Sequence, residues 1–211
     1  MIELKNVTLA CIDCIDINRA FKAIDICEKE IKFADSILLT SIKLDDKRIV
    51  PIKHIGSIQE YSRFMIKDLV RYIDTEYVLC IQWDGFILNP NAWTDEFLKW
   101  DYIGSPWWFR DNMSVGNGGG SLRSKKFLEV SSNLPLRNFH PEDLVLCRTY
   151  RHLLEKEGIK YAPEELAAKF GIEGNQKYGH KWTNQFLFHD LKMTDISSWS
   201  GWTEFKKDLE N

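Results

Sequence analysis

Within the first 85 residues, three short apolar runs alternate with two amphipathic ones, and this alternation leaves few architectures open. The runs VTLACI (7–12), SILLTS (36–41) and YVLCIQ (77–82) have the length and near-continuous apolarity of strands buried on both faces. Between the first two, Ile17, Phe21, Ile24 and Ile31 follow Asp16 at helical spacing, with charges between them. Between the second and third, Ser57-Ile58-Gln59-Glu60 is a capping box, and Tyr61, Phe64, Met65, Tyr72 and Ile73 continue a helical stripe. Strand–helix–strand–helix–strand order predicts right-handed crossovers and a mostly parallel sheet. The expected class is α/β.

The second half is less regular. Pro90-Asn91 opens a short helix expected over 92–99, and residues 101–120 form a loop-rich stretch with Pro106, Trp107, Trp108 and five glycines. A helix is expected from Pro141, which suits a first turn, with Glu142 and Asp143 just behind it. Leu144, Leu146, Cys147, Tyr150, Leu153 and Leu154 carry it to Gly158, a plausible stop. From Gly171 the periodicity is weak. With no internal repeat and no low-complexity linker, 211 residues read as a single domain.

Hydrophobic residues make up 44% of the chain and charged ones 28%, which excludes a disordered chain and a disulfide-stapled mini-protein. The net charge of −3 and pI near 6.0 leave no global basic footprint for nucleic acid, so an anionic ligand needs local donors or a metal. The N-terminus lacks the pattern of a signal peptide, and no run approaches the ~18 apolar residues of a membrane span. Five scattered cysteines fit reduced thiols, and the expected location is cytoplasmic. Cys11 and Cys14 have the spacing of half a zinc site but no second pair, and Cys11 falls within an apolar run, so both are expected to be ordinary buried residues.

Four features can carry chemistry. Gly116-Asn117-Gly118-Gly119-Gly120-Ser121 fails the dinucleotide fingerprint at its sixth place and lacks the Gly-Lys-Ser/Thr of a P-loop. It is either a tight turn or a backbone that a ligand approaches closely. Asp84, in Gln82-Trp83-Asp84-Gly85, follows the third strand, where open α/β sheets bind ligands. It can hold a hard cation or simply form an Asp-Gly turn. Glu142 and Asp143 are either favourable charges at a helix start or catalytic carboxylates. His180, between aromatics in Tyr178-Gly179-His180-Lys181-Trp182, is either a surface residue or a ligand.

The segments VLCIQWDGFILNP, DYIGSPWW, VGNGGGSLRS, PEDLVLCR and FGIEGNQKYGHKW follow one another in an order that resembles a family of glycosyltransferase-like proteins with mostly undefined substrates. The resemblance spans residues 77–182, and GNGGGSLRS is its most specific block. It implies a GT-A-like fold, with a nucleotide-binding half over about 1–90 and an acceptor-binding, catalytic half over about 91–211. Asp84 matches the aspartate that holds a divalent metal, Mn²⁺ or Mg²⁺, against the diphosphate of a sugar nucleotide, with UDP the expected carrier. Gln82 stands where many such enzymes have the first Asp of Asp-x-Asp, which leaves the metal shell poorer in charge. Gly118, Gly119 and Gly120 match a glycine loop near the donor sugar, and His180 resembles the late histidine that completes the metal site. The Glu142-Asp143 pair resembles the Glu-Asp of fringe-like inverting transferases, with Asp143 as base and Glu142 second.

The implied reaction moves a sugar from a nucleotide donor to a hydroxyl of a glycan or other acceptor. Trp107, Trp108 and Trp182 offer flat faces for a sugar ring, or else pack a core. By analogy the acceptor is built at the cytoplasmic face of a membrane. Three other classes stay open: a non-catalytic sugar- or nucleotide-binding module, a structural or interaction protein, and a glycosidase using Asp84 and Asp143.

Overall fold

The computed structural model describes residues 1–174 and 177–209. Six strands form one sheet: β1 (Ile2–Ile12), β2 (Ile31–Thr40), β3 (Ile49–Pro51), β4 (Tyr77–Ile81), β5 (Tyr102–Gly104) and β6 (Ser121–Ser124). Their order is β3-β2-β1-β4-β6-β5, with β3, β2, β1 and β4 mutually parallel and β6 antiparallel to both of its neighbours. The expected α/β class and mostly parallel sheet are what the chain forms. β5 and β6, from the second half of the chain, share this one sheet with the four strands of the first half.

Side-chain alternation along the central strands divides the core into two layers. Leu9 and Cys11 of β1 and Leu79 and Ile81 of β4 face one layer, with Ala20, Ala23, Ile24 and Cys27 of helix α1 (Ile17–Glu28). Ala10, Ile12, Val78 and Cys80 face the other, with Phe64, Met65 and Ile66 of helix α2 (Ile58–Lys67) and Phe127 of helix α3 (Lys125–Asn133). Burial on both faces is why β1 and β4 read as unbroken apolar runs. Asp16 caps α1 by accepting from the Asn18 and Arg19 N–H groups, and Ser57 caps α2 by accepting from Glu60. All five cysteines are free and buried, Cys11 and Cys14 included.

Several local expectations shift. Ile31, expected on the first helix, opens β2 opposite Ile2, and α1 stops at Glu28. The stripe that was to reach Ile73 leaves the α-helix at Lys67 and continues as a 3₁₀ turn over Leu69–Tyr72. Pro141 caps rather than enters its helix, and the single helix expected to Gly158 is three pieces. These are a turn α4 (Glu142–Leu144), a π-helical turn (Val145–Thr149) and α5 (Arg151–Lys156). Farther on, α6 (Glu164–Phe170) leads into β7 (Gly171–Glu173), which pairs in parallel with β8 (Leu187–His189). A last helix, α7 (Trp202–Leu209), sets Phe205 against Phe86. Asn175 and Gln176, inside the FGIEGNQKYGHKW segment, lie outside the described residues.

Candidate active site

The chain leaves β1 towards β2 on one side and returns through α2 to β4 on the other, so β1 and β4 flank a topological switch point. A cleft of about 560 Å³ opens there, lined by Asp13 after β1, Tyr61 on α2, Gln82 and Trp83 after β4, and Gly119, Asp143 and His189. Asp13 shapes the first turn, its Oδ1 accepting from the Ile15 (2.7 Å) and Asp16 (2.9 Å) N–H groups. Gln82 and Gly85 exchange two backbone hydrogen bonds, which turns Trp83 and Asp84 out beyond the strand end. Among the described residues, the cleft wall has no lysine or arginine.

One end of the site is built around Asp84 and His189. The β7–β8 register sets Glu173 beside His189, with Glu173 Oε1 3.2 Å from the ring Nδ1. The other ring nitrogen, Nε2, lies 3.1 Å from Gln82 Oε1 and 3.8 Å from Asp84 Oδ1. Gln82 in turn donates from Nε2 to the Tyr61 hydroxyl (2.9 Å), so the amide found where an aspartate was expected ties α2 to His189. Burial works against a charged imidazole, but the hydrogen bond and charge of Glu173, aided by Asp84, outweigh it, and the His189 pKa lies above its ordinary value. Asp84 Oδ1 is buried and has no hydrogen-bond partner among the described residues.

The other end is built around Asp143. Its Oδ1 accepts from the Leu144 N–H (2.7 Å) and its Oδ2 from the Gly118 N–H (3.2 Å). Glu142 turns the other way, into a buried ion pair with Arg123 at 2.8 Å. Burial pushes the Glu142 carboxyl up, Arg123 draws it down, and the charge of Asp143 pushes it up again, leaving it above the ordinary carboxylate value.

The glycine block owes its composition to these side chains. A Cβ on Gly118 would overlap Glu142 Oε1, one on Gly119 would overlap the His189 ring, and one on Gly120 would meet Leu187 Cδ1. A Cβ on Gly85 would likewise lie 2.6 Å from His189 Cδ2. The Gly118 and Gly119 amides, expected to be available to a ligand, are engaged by Asp143 Oδ2 and Asn117 Oδ1.

The structure brings Gln82, Asp84, Gly118, Gly119, Gly120, Glu142 and Asp143 to one edge of the sheet, and of these Gln82, Gly119, Glu142 and Asp143 line the cleft. It does not bring His180 there. His180 is exposed, its carbonyl bonded to the Asp195 N–H, and the histidine beside Asp84 is His189. The three tryptophans expected to face an acceptor sugar do not line the cleft. Trp107 is buried against Gly116, whose Cβ would overlap its ring, and Trp182 is buried with its Nε1 donating to Gln185 O. Trp108 is 57% exposed beside Phe109, and the tryptophan in the cleft wall is Trp83. His189, Glu173, Tyr61 and Arg123 carried no role in the sequence reading. An LFH run closing a short strand and an arginine inside GGGSLRS are the only local signals of two of them.

A divalent cation is what the implied diphosphate chemistry asks for, and the donor set can be tested against it. Asp84 offers a buried oxygen that nothing else uses, and His189 Nε2 lies 3.8 Å from it. No group of three or more His, Cys, Asp or Glu among the described residues could hold a metal unaided. The pair therefore fits a cation that takes its remaining oxygens from a bound ligand. No described helix is long and apolar enough to cross a membrane.

The solved structure of a glycosyltransferase involved in the glycosylation of the major capsid of PBCV-1 superposes with a TM-score of 0.53 at 12% identity, covering 94% of this chain and 98% of that one. The fold is GT-A-like. The mannosyltransferase PcManGT from Pyrobaculum calidifontis, solved with GDP-Man and Mn²⁺, gives a TM-score of 0.48 at 9% identity over 98% of this chain and 64% of that one, too distant to carry anything over. No curated protein matches the chain. A family model described as a protein of unknown function (DUF5672) matches residues 46–187, more than half of the chain, and the protein belongs to that family.

Proposed function

We propose that this protein is a glycosyltransferase that moves a sugar from a nucleoside diphosphate donor, UDP-linked by expectation, to a hydroxyl of a glycan or other acceptor. The observation that carries this reading is a pair of carboxylates at one edge of the sheet: Asp143 in the cleft wall, oriented by two backbone N–H groups, and Asp84 beside His189 of that wall, with an oxygen left unbonded.

Asp143 is the general base. Its two oxygens each accept one N–H, which fixes the carboxylate while leaving lone pairs to take the proton of an attacking hydroxyl. A positioned base of this kind contributes about 10²–10⁴-fold. One base and direct displacement at the anomeric carbon give inversion. Glu142, engaged by Arg123, supports the site rather than exchanging protons with substrate.

The departing diphosphate gathers negative charge beside a wall that already carries Asp13, Glu142 and Asp143 and no lysine or arginine. Asp84 and His189 would hold a Mn²⁺ or Mg²⁺ ion, whose bound charge offsets that of the leaving diphosphate. Gln82, anchored by Tyr61, holds one ring nitrogen of His189 while Glu173 holds the other.

The test is incubation of the protein with UDP- and GDP-sugars and Mn²⁺, following release of free nucleoside diphosphate. Hydrolysis or transfer with at least one donor, lost in Asp143→Asn while nucleotide still binds, is the expected result. Nucleotide binding without turnover by the wild type would instead favour a non-catalytic sugar-nucleotide module, a reading to which Gln82 in the Asp position lends some weight.

A further inference from the structure

The buried Arg123–Glu142 pair is not used by the chemistry above. Arg123 has no exposed surface and Glu142 very little, and such pairs can often be replaced by apolar residues without loss of stability. Arg123 Nη1 is also buried without a partner among the described residues. Its surroundings suggest what the pair does instead.

Arg123 Nη2 reaches Glu142 Oε1 at 2.8 Å and Gly118 O at 3.5 Å, and Nε donates to Ser121 Oγ at 3.0 Å. The Ser121 hydroxyl donates onward to Gly118 O (3.2 Å). Gly118 is the residue whose N–H donates to Asp143 Oδ2, and Glu142 is the residue before Asp143. The guanidinium thus grips the carbonyl of Gly118, whose N–H supports Asp143, and the side chain of Glu142, the residue before Asp143. Tyr102 backs the arrangement, with its ring 5.4 Å from the guanidinium carbon and its hydroxyl donating to Asn117 O (3.0 Å).

We propose that Arg123, acting through Glu142 and Gly118, is a positioning residue for Asp143. Its relevance to turnover rests on the reading of Asp143 as the base. Arg123 itself touches no substrate. A planar fork serves three acceptors at fixed angles, which the point charge of a lysine cannot do. Displacement of a catalytic group by about 1 Å can cost about 10²-fold in rate.

Two variants test this: R123M/E142M, which removes both charges at similar volume, and R123K, which keeps both charges and loses the planar fork. Each is measured for thermal unfolding, for hydrogen exchange at the Gly118 amide by NMR, and for kcat and KM of UDP- and GDP-sugar hydrolysis. The double variant is expected to fold, to exchange the Gly118 amide about tenfold faster or more, and to lose about 10²-fold in kcat with donor KM within about twofold. R123K should fall between it and the wild type. Unchanged Gly118 exchange in a folded variant, or a loss confined to KM, would overturn the proposal. If the double variant does not fold, R123K decides by the same two readouts. If the wild type hydrolyses no sugar nucleotide, the base assignment fails, while Gly118 exchange still decides whether Arg123 positions the carboxylate.

Discussion

Asp84 and Asp143 are both aspartates at one edge of one sheet, yet the protein treats them in opposite ways. Asp143 is held by two backbone N–H groups, and the residue before it is clamped to a buried arginine. Asp84 has one buried oxygen that no hydrogen-bond donor reaches, and its nearest basic side chain, His189, is itself held by Glu173 and Gln82. An unbonded buried carboxylate oxygen costs the free protein about 1–3 kcal/mol or more. The cost is intelligible if something bound completes the shell. The contrast separates a group the protein orients for chemistry from a group it leaves for a ligand.

Substituting each carboxylate is the sharpest way to break that contrast. Asp143→Asn should reduce turnover by about 10²–10⁴-fold and leave nucleotide affinity within about twofold, read by steady-state kinetics and calorimetry. Asp84→Asn should do the reverse at the binding step, weakening nucleotide in the presence of Mn²⁺. Next in size is the clamp. R123M alone leaves the Glu142 charge buried and unpaired, and should destabilise by about 3–5 kcal/mol in urea titration, with much of this recovered in R123M/E142M.

Gly119 lies between the two ends, beside Gly118 and against His189, where a Cβ has no room. Gly119→Ala should cost about 1–3 kcal/mol of stability and weaken nucleotide binding, because the His189 ring must move. Away from the cleft, burial alone would raise Glu164, but hydrogen bonds from Lys177, Ser114 and Tyr178 hold it down to about 2. A depressed carboxylate stabilises the fold above its unfolded pKa near 4.5, and that contribution is lost as pH falls through about 2. The Tm of Glu164→Gln should therefore lie below wild type at pH 7 and converge with it on acidification from about pH 4.5 towards 2, without effect on nucleotide binding. The smallest effect expected is that of Trp108→Ala, within about 0.5 kcal/mol, against about 3–5 for Trp107→Ala.

The sequence was informative where elements are long and central. β1 and β4 are buried on both faces, so their runs are apolar throughout, and the capping box at Ser57 marks the start of α2. Asp84 and Glu142-Asp143 were legible because they sit just past such elements or beside a helix-starting proline. The second half was harder because β5, β7 and β8 have three residues each, too few to show a period. His189 was overlooked for His180 because its importance lies in register, with Glu173 across β7–β8 and Gln82 over a hundred residues away. Gly116 makes room for the Trp107 ring, and no local pattern says which of the two a glycine is serving. Arg123 runs against the expectation for a four-residue buried strand, and only the fold sets Glu142 opposite it.

The most direct measurement is calorimetric titration with UDP and GDP, with and without Mn²⁺, of the wild type, Asp84→Asn and Asp143→Asn. The account predicts binding of one nucleotide that requires Mn²⁺, persists in Asp143→Asn and is lost in Asp84→Asn. Binding that ignores Mn²⁺ and the Asp84 substitution, or no binding of either nucleotide, would contradict it.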